Sequence, residues 1–110
     1  MTGTLTPKLT PPSIGRIVLY TLSAQDASSI ASRRADAQRN LTEHKEAATG
    51  VQIHVGNSVR EGDTFPLVVV RVWPNDSVNG QLMLDGNDTY WIMSKAQGDS
   101  AGTWSWPPRV

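Results

Sequence analysis

Between Ser23 and Ala48 the chain contains no Gly and no Pro, and Ala, Arg, Gln, Glu and Lys recur throughout. These are good helix formers, so one long helix is predicted over this stretch. Ser23-Ala24-Gln25-Asp26 has the form of a capping box, in which a hydroxyl and a carboxylate each satisfy the other's backbone amide. Gly50 is a plausible stop. The helix spans roughly 24 residues, about 36 Å at 1.5 Å per residue. That is longer than a four- or five-stranded sheet of this size can cover.

The apolar stripe along this helix is thin. Ala27, Ile30, Ala37 and Leu41 fall at heptad-like spacing, with Arg34 in the missing position. Two readings stand. Either Ala tolerates any helix face while Arg34 extends to water, or helices from two or three copies meet here and present Arg34, or Arg33, to an anion.

On either side of the helix the pattern changes to strands and turns. Ile14 to Leu22 reads as a first strand entered at Gly15. After the helix come strands at Val51–Val55, Thr64–Trp73, Val78–Leu84 and Thr89–Ser94. Turn clusters at Gly56-Asn57, Glu61-Gly62-Asp63, Pro74 to Ser77 and Asp85-Gly86-Asn87-Asp88 separate them. Lys95 to Gly102 reads as a loop before a final segment, Thr103 to Val110. Sequential strands with short connections imply an antiparallel sheet. The expected class is α+β: one long helix in the N-terminal part plus a curled antiparallel sheet or small open barrel. Residues 1–13, with Pro7, Pro11 and Pro12, form an extended or flexible arm, and residues 14–110 one domain.

Composition removes several function classes. Ten basic and ten acidic residues balance, which disfavours duplex nucleic-acid binding. The absence of Cys excludes disulfides, thiol catalysis and Cys-based metal sites. No apolar run approaches membrane-spanning length, and Met1 to Ser13 lacks the apolar core of a signal peptide. A cytosolic protein is expected. The Asn-X-Ser/Thr triplets at Asn40, Asn75 and Asn87 are accordingly read as accidental. With charged residues at 18% and hydrophobic residues at 38%, burial of some surface against further copies is expected.

No catalytic constellation is apparent, and no metal or cofactor is expected. His44 and His54 have no partner at ligand or triad spacing, and Asp63, Asp85 and Asp88 occupy turns. The aromatic residues are more informative, because all four Trp lie after residue 72. Trp73 and Trp91, inside apolar strands, are expected in the core. Trp104 and Trp106 alternate, and Pro107-Pro108 then presents Arg109. This segment either seals the open end of the barrel or, by indole and guanidinium stacking, walls a nucleotide pocket.

Several blocks carry a resemblance. They are Ile14 to Leu22, Asp26-Ala27 with Ile30 and Arg33-Arg34, His54 to Asn57 with Gly62-Asp63, and Pro66 to Trp73. Val78 to Gln81, Leu84 to Asp88 and Trp104 to Pro107 complete the set. Over most of the chain they resemble small phage proteins, among them the first type of Thoeris anti-defence protein. The resemblance implies a non-enzymatic sponge that sequesters glycocyclic ADP-ribose, and in some members cyclic trinucleotides, in the cytoplasm of an infected bacterium. It implies a homo-oligomer built from dimers, up to a hexamer, with ligand pockets between subunits. The family's ligand-contacting Arg and Asn correspond to Arg109 and Asn87. Met83 stands where relatives carry a Phe, so Trp104 or Tyr90 is the substitute stacking partner. Arg33 and Arg34 would face the phosphates of a cyclic trinucleotide. A structural or accessory component of the phage virion is the alternative, the Pro/Thr-rich arm suiting attachment to a lattice.

Overall fold

The computed structural model describes residues 10–43 and 57–108 of the chain. The elements are β1 (Ile17–Thr21), α1 (Ala24–Glu43), β2 (Thr64–Val72), β3 (Val78–Leu84), β4 (Asp88–Lys95) and β5 (Trp104–Ser105). The class is α+β, one helix against a five-stranded antiparallel sheet that does not close into a barrel. The helix is the second element, entered directly from β1. The expected continuation of the helix to Ala48 and the expected strand Val51–Val55 lie outside the described residues, as does the first part of the arm.

The helix begins where the capping box puts it. The Ser23 hydroxyl accepts from the Asp26 backbone amide at 3.1 Å, and Asp26 Oδ2 accepts from the Ser23 amide at 3.0 Å. The same carboxylate oxygen accepts the Tyr20 hydroxyl from β1. One side chain thus caps the helix and fixes its start against the sheet. Burial, and then this hydrogen bond, push the Tyr20 pKa well above its ordinary value of 10.0.

Strand order is β4-β3-β2-β1-β5. In a flat sheet the outer two strands would stand about 19 Å apart at 4.8 Å per neighbour. Yet Lys95 pairs with Val78 on β3, while the carbonyl of the next residue, Ala96, accepts from the Trp104 amide on β5 at 3.1 Å. Gln97 also bridges Trp104 in parallel, and the Gly98 amide donates to the Trp104 carbonyl at 2.9 Å. The sheet is therefore strongly curled, and the chain leaving one edge runs along the other.

The concave face holds the core. Val18, Tyr20, Leu22, Leu67, Val69, Val78, Leu82, Ile92 and Trp104 are fully or almost fully buried there, with Ala27 and Ile30 of α1 packed onto them. Gly80, on β3, lies opposite Val69 of β2 and Ile92 of β4. A Cβ at this position would stand 2.4 Å from the Val68 carbonyl oxygen and 2.8 Å from Leu67 Cδ1, so only Gly permits the approach.

Two irregularities face one another across β3. Register shifts between Val69 and Arg71 on β2, and on β4 beyond Ile92, leave both neighbours bulged opposite Asn79. Asn79 is buried and serves both sides, its Oδ1 accepting from the Ser94 amide at 2.7 Å and from Trp73 Nε1 at 3.0 Å. Trp73 and Trp91, expected in the core, are instead turned outward. Ile92 takes the inward position on β4, so its neighbour Trp91 points outward and is 45% exposed. The β2 bulge carries Trp73 out as well, to 36% exposure, while Trp104 is fully buried.

Candidate functional site

The sequence-derived site residues separate into three places. The first is the β3–β4 connection, where Arg33 and Arg34 of α1 meet Asp85, Asp88 and Tyr90. Arg33 donates through Nη2 to both carboxylate oxygens of Asp88, at 2.7 and 2.8 Å, and through Nη1 to the Thr89 carbonyl at 2.8 Å. Its guanidinium carbon lies 5.4 Å from the Tyr90 ring centroid, a cation–π distance. Arg34 donates to Asp88 Oδ2 at 3.2 Å, to the Asn57 carbonyl at 2.6 Å and to the Asp85 carbonyl at 3.4 Å. Two cations and two carboxylates leave the cluster formally neutral.

This arrangement follows from helix geometry. Adjacent residues on a helix point about 100° apart, so Arg33 and Arg34 approach the turn from two directions and grip Asp88 from either side. Arg34 belongs to the same buried stripe as Ala27 and Ile30 and is itself only 9% exposed. Its position among small residues is thus occupied by contacts within the chain. The Asp85 carboxyl is held below its usual range, first by the Asn57 backbone amide donating to Oδ2 at 3.0 Å and then by Arg34. Gly86 supplies the left-handed backbone, φ 84°, that the tight connection needs. Asn87 is exposed at the tip beside this cluster.

The second place is the convex face of the sheet. Met83 pairs with Thr89 there, opposite in facing to Tyr90, which pairs with Leu82 on the concave side. Met83 is 44% exposed and shares the face with Ile17, Trp91 and Met93, all exposed. These apolar side chains lie on the face that α1, packed on the other side, does not cover.

The third place is the C-terminal segment. Trp104 is sealed in the core, and its indole nitrogen has no hydrogen-bond partner among the described residues. It forms no wall of an open pocket, because its partner in register, Tyr20, also faces inward beneath the helix. Trp106 meets Trp104 edge-on with centroids 5.7 Å apart. The Trp106 indole donates to the Thr10 carbonyl at 3.0 Å, and the Arg16 guanidinium lies 4.7 Å from its ring centroid. The guanidinium that stacks here therefore comes from the start of the domain. Arg109 lies outside the described residues.

The structure thus brings together Arg33, Arg34, Tyr90 and Asn87, keeps Met83 on the opposite face, and removes Trp104 to the core. Sequence reasoning placed Asp85 and Asp88 in turns without assigning them the arginines as partners. A doubly cationic helix position and an acidic Gly-containing turn was the available signal. No group of three His, Cys, Asp or Glu side chains suited to a metal occurs among the described residues. No helix there is long and apolar enough to cross a membrane. Comparison with known protein families, with curated proteins and with solved structures finds no match.

Proposed function

We propose that this protein is a non-catalytic sponge that binds and sequesters a cyclic nucleotide signal, of the glycocyclic ADP-ribose type, as a homo-oligomer in the cytoplasm of an infected bacterium. What supports the reading is the convergence of Arg33, Tyr90 and Asn87 on one connection, held by Asp88 and Arg34. A half-exposed guanidinium beside a phenol offers N–H donors to a phosphate and a flat face to a base, its charge being balanced by Asp88. Pairing with Asp88 fixes the guanidinium's orientation in advance, which lowers the entropic cost of binding.

The opposed facing of Met83 and Tyr90 bears on stoichiometry. A small ligand touching both takes them from different copies, since the sheet itself separates them within one. The exposed face that carries Ile17, Met83, Trp91 and Met93 is the surface suited to contact between copies. The test combines native mass spectrometry with thermal unfolding, with and without glycocyclic ADP-ribose and a panel of cyclic trinucleotides. A ligand that binds only the folded state raises the melting temperature. The expected result is an oligomer that retains ligand of unchanged mass and releases it intact on heating. Absence of both retained mass and thermal shift at ligand far above micromolar concentrations refutes the reading.

A further inference from the structure

At the other end of β3 from this cluster, Trp73 stands where the bulge of β2 carries it out of the core. Its position is fixed on several sides. The indole N–H donates to Asn79 Oδ1 at 3.0 Å, the backbone amide donates to the Ser77 carbonyl at 2.8 Å, and the Trp73 carbonyl accepts from the Asp76 amide at 2.8 Å. Asn75 Oδ1 accepts from the Ser77 amide at 3.1 Å and holds the turn. The Arg71 guanidinium lies 5.0 Å from the Trp73 ring centroid.

Beside this fixed ring is an open cleft of about 480 Å³, lined by Trp73, Pro74, Asn75, Ser77 and Ser94. That volume falls within the range of small-ligand sites. Of the two non-glycine residues with positive φ among the described residues, Ser94 at 56° lines the cleft and Asp76 at 66° lies in the adjoining turn. Strained backbone of this kind persists where surrounding bonds hold it, and it clusters at ligand sites. For Ser94 the holding bond is the one its amide donates to Asn79.

We infer that this cleft binds a saccharide ring. Trp73 and Pro74 supply apolar side chains to the cleft for the C–H face of a sugar. Asn75, Ser77 and Ser94 offer uncharged groups that both donate and accept, the pattern that hydroxyls require. Among the described residues, no ionisable side chain lines the cleft. The Arg71 guanidinium already lies against the Trp73 ring, so a cationic ligand there would meet its repulsion, which an uncharged sugar does not. A nucleobase also stacks on indole, but it needs fixed donors and acceptors in the ring plane rather than rotatable hydroxyls around it. The inference stands independently of the nucleotide-binding reading, because it shares no residue with the Arg33–Asp88 cluster.

The test uses amide and indole ¹H–¹⁵N correlation spectra of the full chain. It is titrated separately with methyl β-galactopyranoside, N-acetylglucosamine, mannose, adenosine and adenosine monophosphate. The expected result is a saturable shift of the Trp73 indole and of the Ser77 and Ser94 amides with at least one saccharide. Trp73→Ala should abolish that response. Ser94→Gly keeps the left-handed backbone, removes the hydroxyl and should weaken binding about fivefold, the equivalent of one neutral hydrogen bond. No saturable shift with any of the three saccharides overturns the inference. So does a response at these resonances confined to adenosine or its monophosphate, or saccharide binding that Ser94→Gly leaves unchanged.

Discussion

Arg33 and Arg34 both hold Asp88, and their contact lengths and their burial point to opposite orders of importance. Arg33 makes the shorter contacts, at 2.7 and 2.8 Å, but its side chain is 42% exposed. Arg34 makes longer contacts to the carboxylates, yet its side chain is 10% exposed and its bond to the Asn57 carbonyl is 2.6 Å. Replacement by Met keeps an unbranched apolar stem in both cases and removes the donors. For Arg34→Met the loss of the Asn57 bond alone falls in the range for charged donors, about 1.5–3 kcal/mol. The weaker bonds to Asp88 and the Asp85 carbonyl add to this. Relief of the guanidinium's own desolvation subtracts, and Asp88 keeps Arg33, so the net is about 2–3 kcal/mol. Arg33→Met removes a solvent-screened pair and should cost about 1 kcal/mol or less. For a chain of this size the first corresponds to a fall in melting temperature of about 8–15 °C. Thermal and urea unfolding by circular dichroism, at one protein concentration, should place Arg34→Met well below Arg33→Met with unchanged urea dependence. Equal losses, or the reverse order, would refute the argument that burial outweighs contact length here.

The Tyr20 hydroxyl gives a pH signature. Its pKa is raised in the folded state, so its contribution is complete below the ordinary value of 10.0 and is lost as pH rises beyond it, where the unfolded chain releases the proton first. Tyr20→Phe should cost about 1 kcal/mol at neutral pH and flatten the alkaline fall in stability; an unaltered alkaline profile would exclude this bond as its source. Gly80→Ala should destabilise by about 3 kcal/mol or more, since the added Cβ meets a backbone carbonyl that cannot yield without displacing β2. Soluble protein of near-normal unfolding midpoint would contradict the close approach.

What could be read from the sequence was mostly local. Ser23 and Asp26 announce the helix start because the cap is closed within four residues. The connection from Asp85 to Asp88 carries its own turn chemistry, and the alternation of Val78 to Leu84 sets the facing of β3. Trp73 was misplaced because its facing depends on the β2 bulge, and bulges arise from pairing between strands; Trp91 was misplaced because Ile92 takes the inward phase of β4. Nothing near Trp73 or Trp91 in sequence signals that Asn79 would accept from two neighbours at once. Arg34 was legible as an oddity in an apolar stripe. Its partners, Asn57, Asp85 and Asp88, come from distant stretches of chain, so the choice between solvent, another subunit and its own turn required the fold.

The bulge at Ser94 and the strand-like run at Ala96 to Gly98 also govern how copies of this protein can meet. A sheet edge that is long, flat and unpaired recruits further strands and leads to open-ended growth. Here β4 is kinked near its end, and β5 is two residues long with its outer side taken by the chain itself. Among the described residues, the regular free edge of β4 is limited to residues 88–92 and β5 offers none. For any association between copies, the faces of the sheet offer the larger regular surface, and an isologous contact there closes on itself as a dimer. The same backbone detail that shapes one molecule thus shortens the edge along which open-ended strand addition could proceed.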